Sequence, residues 1–320
     1  MRAVVLSGPG LVENLAVVDL PVPEPPPGWV RVQVAAFGLN RSELHTRLGL
    51  AEGVTFPRVP GIEAVGVVDS ECDLPVGQRV AAMMGGMGRV FDGGYAEYTA
   101  VPREILLPFD STLPWEVLGA IPETLQTAYR SLTTGLDLRA GQSLLIRGGT
   151  SALGFAAAAP AVDIGATVLA TTRRADRLDV LREHGVAHPL LDDGRVADRV
   201  RELFPDGVDA ALELVGTPTL PDTLAATRVH GTVCFTGMLS DEWVVPDFHP
   251  IGYLPKGVRL TAYAGESSDL PAEVLQRFLD QVAGGETTLG PIAVYPLEDI
   301  RRAHDDLEHG RRVGKLVGLV

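Results

Sequence analysis

The segment Gln142-Ser-Leu-Leu-Ile-Arg-Gly-Gly-Thr-Ser-Ala-Leu-Gly-Phe155 constrains the fold more than any other part of the chain. An apolar run breaks into a glycine-dense turn and then becomes alanine-rich, the pattern of a buried strand, a tight turn and a helix start. Gly148, Gly149 and Gly154 let the backbone bend sharply and approach a ligand, while free N–H groups at the helix start point at an anion. By its spacing the run is a loosened form of the G-x-G-x-x-G fingerprint, and an ordinary glycine loop is the alternative.

Context favours the nucleotide reading. The next apolar strand, Ala166 to Thr171, follows Gly154 by about a dozen residues, as a βαβ crossover requires. The backbone of Gly148, Gly149, Thr150, Ser151, Ala152 and Leu153 is then expected to line a dinucleotide pyrophosphate. After the second strand, where an NAD-specific site places an acidic residue on the ribose, the chain reads Thr171-Thr172-Arg173-Arg174, with Arg177 beyond. An acid would repel a 2′-phosphate and arginines attract it, so the expected cofactor is NADPH, contacted by Thr171, Thr172, Arg173 and Arg177. The alternative is that these arginines form a solvated helix start.

At 320 residues, 46% hydrophobic and 21% charged, the chain can fill two ordinary cores. A net charge of −14 argues against nucleic acid or an anionic membrane surface, because phosphate contacts need clustered Lys and Arg. Small organic partners remain. Cys72 and Cys234 form no metal or disulfide pattern. The first apolar stretch is too short for a signal core and no later segment has 18 uninterrupted apolar residues, so a cytoplasmic location is expected.

Texture changes near residue 120. Before it lie Pro, Gly and short β-branched runs, Arg2 to Leu6, Trp29 to Ala36, Ala64 to Asp69, Arg79 to Met84 and Tyr95 to Val101, which read as a mostly antiparallel β domain. After it, strand and helix patterns alternate up to a helix over Pro271 to Val282, which calls for a parallel sheet covered on both faces. A charged amphipathic helix, Leu297 to His309, and an apolar strand, Val313 to Val320, are expected to return to the β domain. The expected division is residues 1–122 with 286–320 as the β domain and 123–285 as the nucleotide-binding domain.

Several segments occur together and in order: Val34-Ala-Ala-Phe-Gly-Leu-Asn40, Phe56-Pro-Arg-Val-Pro-Gly-Ile-Glu-Ala-Val-Gly66, Gly93-Gly-Tyr-Ala-Glu-Tyr98, Leu125-Gln-Thr-Ala-Tyr129, the glycine turn and Gly314-Lys-Leu-Val317. In these the chain resembles the medium-chain dehydrogenase/reductases of the zinc-free, quinone-oxidoreductase-like branch, along its whole length. The resemblance implies an α/β protein with a GroES-like catalytic β domain and a Rossmann domain, a doubly wound parallel sheet, with the reaction carried out between them. Zinc members carry a Cys where this chain has Asn40 and a His where it has Ile62, and Glu63 alone cannot hold zinc tetrahedrally. No bound metal is expected.

Without a Lewis acid, hydride addition to a quinone or to the β-carbon of an enone is the favoured chemistry, since charge spreads over a conjugated system and one donor near the developing oxygen suffices. The resemblance points to Asn40 and His45 as donors. Zinc-free relatives often have Tyr in place of His45, and Asn40 also suits a helix N-cap. Thr127 falls where family members bond near the nicotinamide ribose or phosphate. Leu214-Val215-Gly216 and Phe235-Thr236-Gly237 end successive sheet strands, so their backbones are expected at the nicotinamide end. Lys315 belongs to the family Gly-Lys motif. Trp243, Phe248 and Tyr253 suit either an aromatic guest or loop packing.

The resulting expectation is an NADPH-dependent, metal-independent reductase of quinones or α,β-unsaturated carbonyls. The alternatives are an enoyl reductase of secondary metabolism and a catalytically silent NADPH-binding redox sensor. An apolar strand over Val258 to Tyr263, the family's dimer edge, gives a homodimer as the expected assembly.

Overall fold

The computed structural model describes residues 1–320, which divide into two compact units. One comprises Met1–Thr124, Glu266–Thr287 and Pro291–Val320, the other Leu125–Gly265 with Thr288–Gly290.

The first unit begins with the hairpin β1 (Arg2–Leu6) and β2 (Leu15–Asp19) and the long strand β3 (Trp29–Leu39), followed by helix α1 (Arg41–Leu48). Then come β4 (Glu63–Val68), β5 (Arg79–Met83), β6 (Tyr98–Pro102), β7 (Leu106–Pro108) and the short α2 (Trp115–Leu118). Helix α3 (Pro122–Arg130) leads into the second unit. There β8 (Ser143–Arg147), α4 (Ala152–Ile164), β9 (Thr167–Thr172), α5 (Leu178–Glu183), β10 (His188–Leu191) and α6 (Val196–Leu203) follow one another. β11 (Val208–Glu213), α7 (Leu220–Ala226), β12 (Thr227–Phe235), α8 (Pro250–Tyr253) and β13 (Arg259–Ala262) complete it. The chain then re-enters the first unit with α9 (Ala272–Gly284), β14 (Ile292–Pro296), α10 (Ile300–Glu308) and β15 (Lys315–Leu319).

In the first unit the strand order is β14-β15-β3-β4-β5-β7, with β6 also on β3. β3 is the hub because inward positions on its pleat are apolar and buried, Val30, Val32 and Val34 among them. β15 lies antiparallel to it, Leu316 opposite Leu39, so the C-terminal strand does return to the β domain. Helix α9 groups with this unit, although sequence texture runs the nucleotide-binding domain on to residue 285. The reason is local: the Gln276 carboxamide bonds both backbone groups of Asp110, at 2.9 and 2.7 Å.

The second unit is a six-stranded parallel sheet of order β10-β9-β8-β11-β12-β13. β8 is buried along its length, as a central strand covered on both faces must be. The order in which strands are laid down reverses between β8 and β11, the point at which open parallel sheets accept ligands at their carboxyl ends. β10 and α6 escape the sequence reading because β10 is a short edge strand containing Pro189 and α6 buries only Val196, Ala197 and Val200. No helix is long and apolar enough to cross a membrane.

One core histidine titrates. His304 on α10 is fully buried beside the Tyr95 ring, and neither ring nitrogen has a hydrogen-bond partner in the protein. Burial, helped by the Arg47 cation, lowers its pKa to about 3. Since the folded value lies below the ordinary one, the stability this neutral ring contributes is complete above about pH 6.5 and is lost as pH falls toward 3. His304→Leu is expected to match the wild type at pH 7.5 and to lose less melting temperature between pH 7.5 and 5. Parallel melting curves against pH would exclude this assignment.

Candidate functional site

The glycine turn after β8 is built by close approach. Gly148 has φ +86°, and its N–H donates to Thr171 Oγ1 at 3.0 Å while the N–H of Gly149 donates to the Thr171 carbonyl at 2.9 Å. A Cβ on Gly149 would lie 2.6 Å from Ala170 Cβ, and one on Gly154 would lie 2.5 Å from the Gly149 oxygen, so turn, strand and helix fit only without side chains there. Ser151 caps α4, its Oγ accepting the Gly154 N–H at 3.1 Å and donating to the Gly148 carbonyl at 2.8 Å. The N–H groups of Ala152 and Leu153, in the first turn of the helix, are beyond the reach of any intrahelical acceptor. A pyrophosphate fits that cradle: two outward amides at a helix N-terminus and a backbone stripped of Cβ atoms.

Thr171 and Thr172 are both buried, and Thr171 spends its hydroxyl on the turn itself. Arg173 beyond them is exposed, and Arg174 pairs with Asp176 at 2.6 Å. Arg177 is held below its ordinary pKa by burial and then by the neighbouring Arg174 and Arg173 cations, which Asp176 only partly offsets. Residues 173–177 thus carry three arginines and one aspartate.

Two buried ionic residues that sequence reading misses shape the adjacent turns. Glu213, the last residue of β11, accepts the N–H groups of Val215 (2.7 Å) and Gly216 (3.1 Å) and the hydroxyls of Thr219 and Thr223. Burial nevertheless keeps its carboxyl above the usual range. Its main-chain carbonyl receives the amides of Thr236 and Gly237, each at 3.1 Å, so one residue fixes both the Leu214 to Gly216 and the Phe235 to Gly237 turns. Arg147, at the end of β8, is fully buried and bridges Asp192 and Asp222 at 2.5 and 2.6 Å. Asp222 in turn accepts the Val196 and Ala197 amides at the start of α6. The available signal was a charge closing an apolar strand just before a turn, in both β8 and β11. Thr127 on α3 is buried with its hydroxyl 3.3 Å from Gln126 Oε1. Phe248 and Tyr253 pack edge to face on each other, ring centroids 5.1 Å apart, and Trp243 is partly exposed.

The first unit brings Asn40 and Lys315 together. Asn40 sits at the N-cap position of α1, and its main-chain N–H donates to Glu43 Oε2 at 2.8 Å. Glu43 Oε1 accepts the Ile62 N–H at 2.7 Å, and burial raises this carboxyl to about 7. The Asn40 side chain is held twice. Its Nδ2 donates to Glu63 Oε1 at 3.0 Å, and its Oδ1 accepts from Lys315 Nζ at 2.5 Å. Lys315 Nζ also lies 2.7 Å from Glu63 Oε1 and 3.9 Å from Glu123 Oε2, and Glu63 Oε2 accepts the Glu123 N–H at 3.0 Å. Gly38 makes room for the pair: a Cβ there would collide with Glu63 Oε1 and Lys315 Cε. His45, on the last turn of α1, is buried.

A zinc ion does not fit this cluster. No three His, Cys, Asp or Glu side chains converge on a common point, and the inner carboxylate, Glu63, is engaged by an ammonium and two N–H donors. The same geometry leaves Lys315, 5% exposed, committed to Asn40 and Glu63 rather than extended toward a nucleotide.

Residues 152–280 match the family model of zinc-binding dehydrogenases, and residues 26–111 that of the alcohol dehydrogenase GroES-like domain. A quinone oxidoreductase of Sus scrofa is 27% identical over 331 positions covering 100% of this chain and 97% of the relative. The solved structure of an NAD-dependent alcohol dehydrogenase is 28% identical with a TM-score of 0.89, covering 100% of both chains. A mycobacterial protein solved in complex with NADPH is 26% identical with a TM-score of 0.87, again covering 100% of both. Sheet order, glycine turn and relatives together define an oxidoreductase that uses a nicotinamide nucleotide on small molecules. The chain belongs to the medium-chain dehydrogenase/reductase family and is quinone oxidoreductase-like, with a GroES-like and a Rossmann-like part.

The buried ammonium has a direct chemical readout. Only two of the 27 Lys and Arg residues are lysines, Lys256 and Lys315, and Lys256 is exposed. Reductive methylation of the native protein is expected to modify Lys256 and spare Lys315. Gly38→Ala, by forcing the ion pair apart, is expected to cost about 3 kcal/mol of stability and to open Lys315 to the reagent. Equal modification of both lysines in the native wild type would contradict the buried pair.

Proposed function

We propose that this chain is an NADPH-dependent, metal-independent reductase that transfers hydride to quinones or α,β-unsaturated carbonyl compounds. The observation that carries the proposal is the end of β9. Three arginines surround one carboxylate, Asp176, where an NAD-specific chain holds an acid against the ribose hydroxyls. A 2′-phosphate is attracted by such a run of cations, and the bidentate fork of arginine suits it. The name and the NADPH complex of two relatives agree with this reading.

NADPH bound here supplies the hydride, and the chain's residues hold and polarise. The Ala152 and Leu153 amides would hold its pyrophosphate, Arg173 and Arg177 its 2′-phosphate, and the turns fixed by Glu213 would lie toward its nicotinamide. Asn40 donates a hydrogen bond to the substrate oxygen as it gains charge, and His45 delivers the proton that neutralises it. A conjugated acceptor needs no more, because its developing charge is shared over several atoms.

The assembly that fits is a homodimer through β13, whose outer edge pairs with no strand of this chain. A charged residue at Leu260 is expected to convert dimers to monomers in light scattering with unchanged circular dichroism. A wild type that is monomeric at micromolar concentration would remove this part of the proposal.

Cofactor choice is measured by titration. Arg173→Ala/Arg177→Ala is expected to weaken NADPH binding about ten- to hundredfold and to leave NADH binding within about twofold. Wild-type protein that binds both cofactors equally, or binds NADPH but oxidises it with no quinone or enone, would refute the corresponding half of the reading.

A further inference from the structure

We propose that Lys315 is a positioning residue for the reaction, one that acts through Asn40 and not through the cofactor. The inference rests on the reading of Asn40 as the donor to the substrate oxygen. A carboxamide looks nearly the same when flipped by 180°, yet its two ends have opposite polarity. At Asn40 the two orientations differ in charge. In the structure Oδ1 faces an ammonium at 2.5 Å and Nδ2 faces a carboxylate at 3.0 Å. Flipped, the NH2 group would face the ammonium and the oxygen would face the carboxylate, two buried like-polarity contacts at once. The Lys315 and Glu63 pair thus locks the amide in one orientation.

That orientation has a chemical result. One Nδ2 proton is used on Glu63, and the second has no acceptor in the protein, while Asn40 itself is only partly buried. The ammonium pulling on Oδ1 drains electron density from the amide nitrogen and so strengthens the remaining N–H as a donor. It is preorganised before substrate arrives, which is what makes a single donor effective against charge that develops only in the transition state.

Four features of the chain serve this lock. Gly38 omits the Cβ that would displace the ion pair, and the Glu123 amide holds the second oxygen of Glu63 at 3.0 Å. Glu43 pins the Asn40 main chain at 2.8 Å. The cation is a lysine in a chain whose remaining cations, Lys256 aside, are all arginines. A compact ammonium on a flexible stem can enter the space beside Gly38; a planar guanidinium cannot present one donor point to two oxygens in the same way.

The test combines a double-mutant cycle with a spectroscopic readout. Asn14 and Asn40 are the only asparagines, so protein labelled with ¹⁵N-asparagine shows two side-chain NH2 groups. Lys315→Met is expected to move the Asn40 pair and leave the Asn14 pair in place. It should lower kcat about ten- to hundredfold while the NADPH dissociation constant changes by less than about twofold. Asn40→Ala should lower kcat about a hundredfold, and Lys315→Met should cost nothing more in that background. If Lys315→Met leaves a lone buried carboxylate that prevents folding, Lys315→Met/Glu63→Gln removes both charges and is expected to show the same loss. Unmoved Asn40 resonances, weakened NADPH binding, or losses that multiply in the double variant would overturn the proposal. Failure of the functional reading is distinguishable, because it appears as a wild type that reduces no quinone or enone while the resonances still report the lock.

Discussion

A charge taken out of water must find partners, and that requirement organises both units of this protein. Arg147, Glu213, Glu63 and Lys315 are all at or near full burial, and each is satisfied by several groups at once. These partners are not scattered through the core. They lie at the ends of β8 and β11, where the nucleotide turns begin, and around Asn40 and Gly38 at the end of β3. The turns are backbone structures with few side chains to pack, so hydrophobic burial alone would leave them loose. Glu213 compensates by accepting four donors and offering its carbonyl to two more. Rigidity is thus concentrated where a ligand must be met by backbone amides.

The parts legible in the sequence are those for which only one residue type will serve. Gly149 and Gly154 are readable because a Cβ at either position would strike backbone or Ala170, and no other residue lacks one. The parallel sheet is readable because the centres of β8 and β11, Leu144 to Ile146 and Ala210 to Leu212, are apolar. Asn40 is read both as donor and as N-cap, and the structure puts it at the cap with its side chain turned to Glu63 and Lys315. What stays hidden depends on partners remote in sequence. Lys315 meets Glu63 across 252 residues, and Arg147 meets Asp222 across 75, distances no periodicity can bridge. Thr171 illustrates a subtler limit. Its position at a strand end is visible, but whether its hydroxyl faces a ligand or holds the Gly148 amide depends on how far the strand is buried.

Likeness to the zinc-binding dehydrogenases and a site unsuited to zinc are compatible once the fold and the site are separated. Asn40 follows β3, and Ile62 and Glu63 stand where β4 begins. One carboxylate among them still needs a cation. In this chain that cation is Lys315, covalently part of the protein and held by β15 on the hub strand β3. The buried carboxylate is thus neutralised by a side chain of the same protein.

Net charge and the charge over residues 173–177 point in opposite directions. A chain at −14 would repel a polyanionic nucleotide if its charges acted as one body. Screening at physiological ionic strength limits exposed charges to a range of about 8 Å, so what a bound phosphate experiences is the composition of its immediate surroundings. Over residues 173–177 that composition is three arginines to one aspartate, and the α4 N-terminus adds its own positive end to the pyrophosphate cradle. Burial first, and then the neighbouring Arg174 and Arg173 cations, depress the pKa of Arg177, whereas Arg174, bonded to Asp176, shifts upward. On the proposed reading, a ligand small enough to place its phosphates beside these groups meets that local composition and not the net charge of the chain.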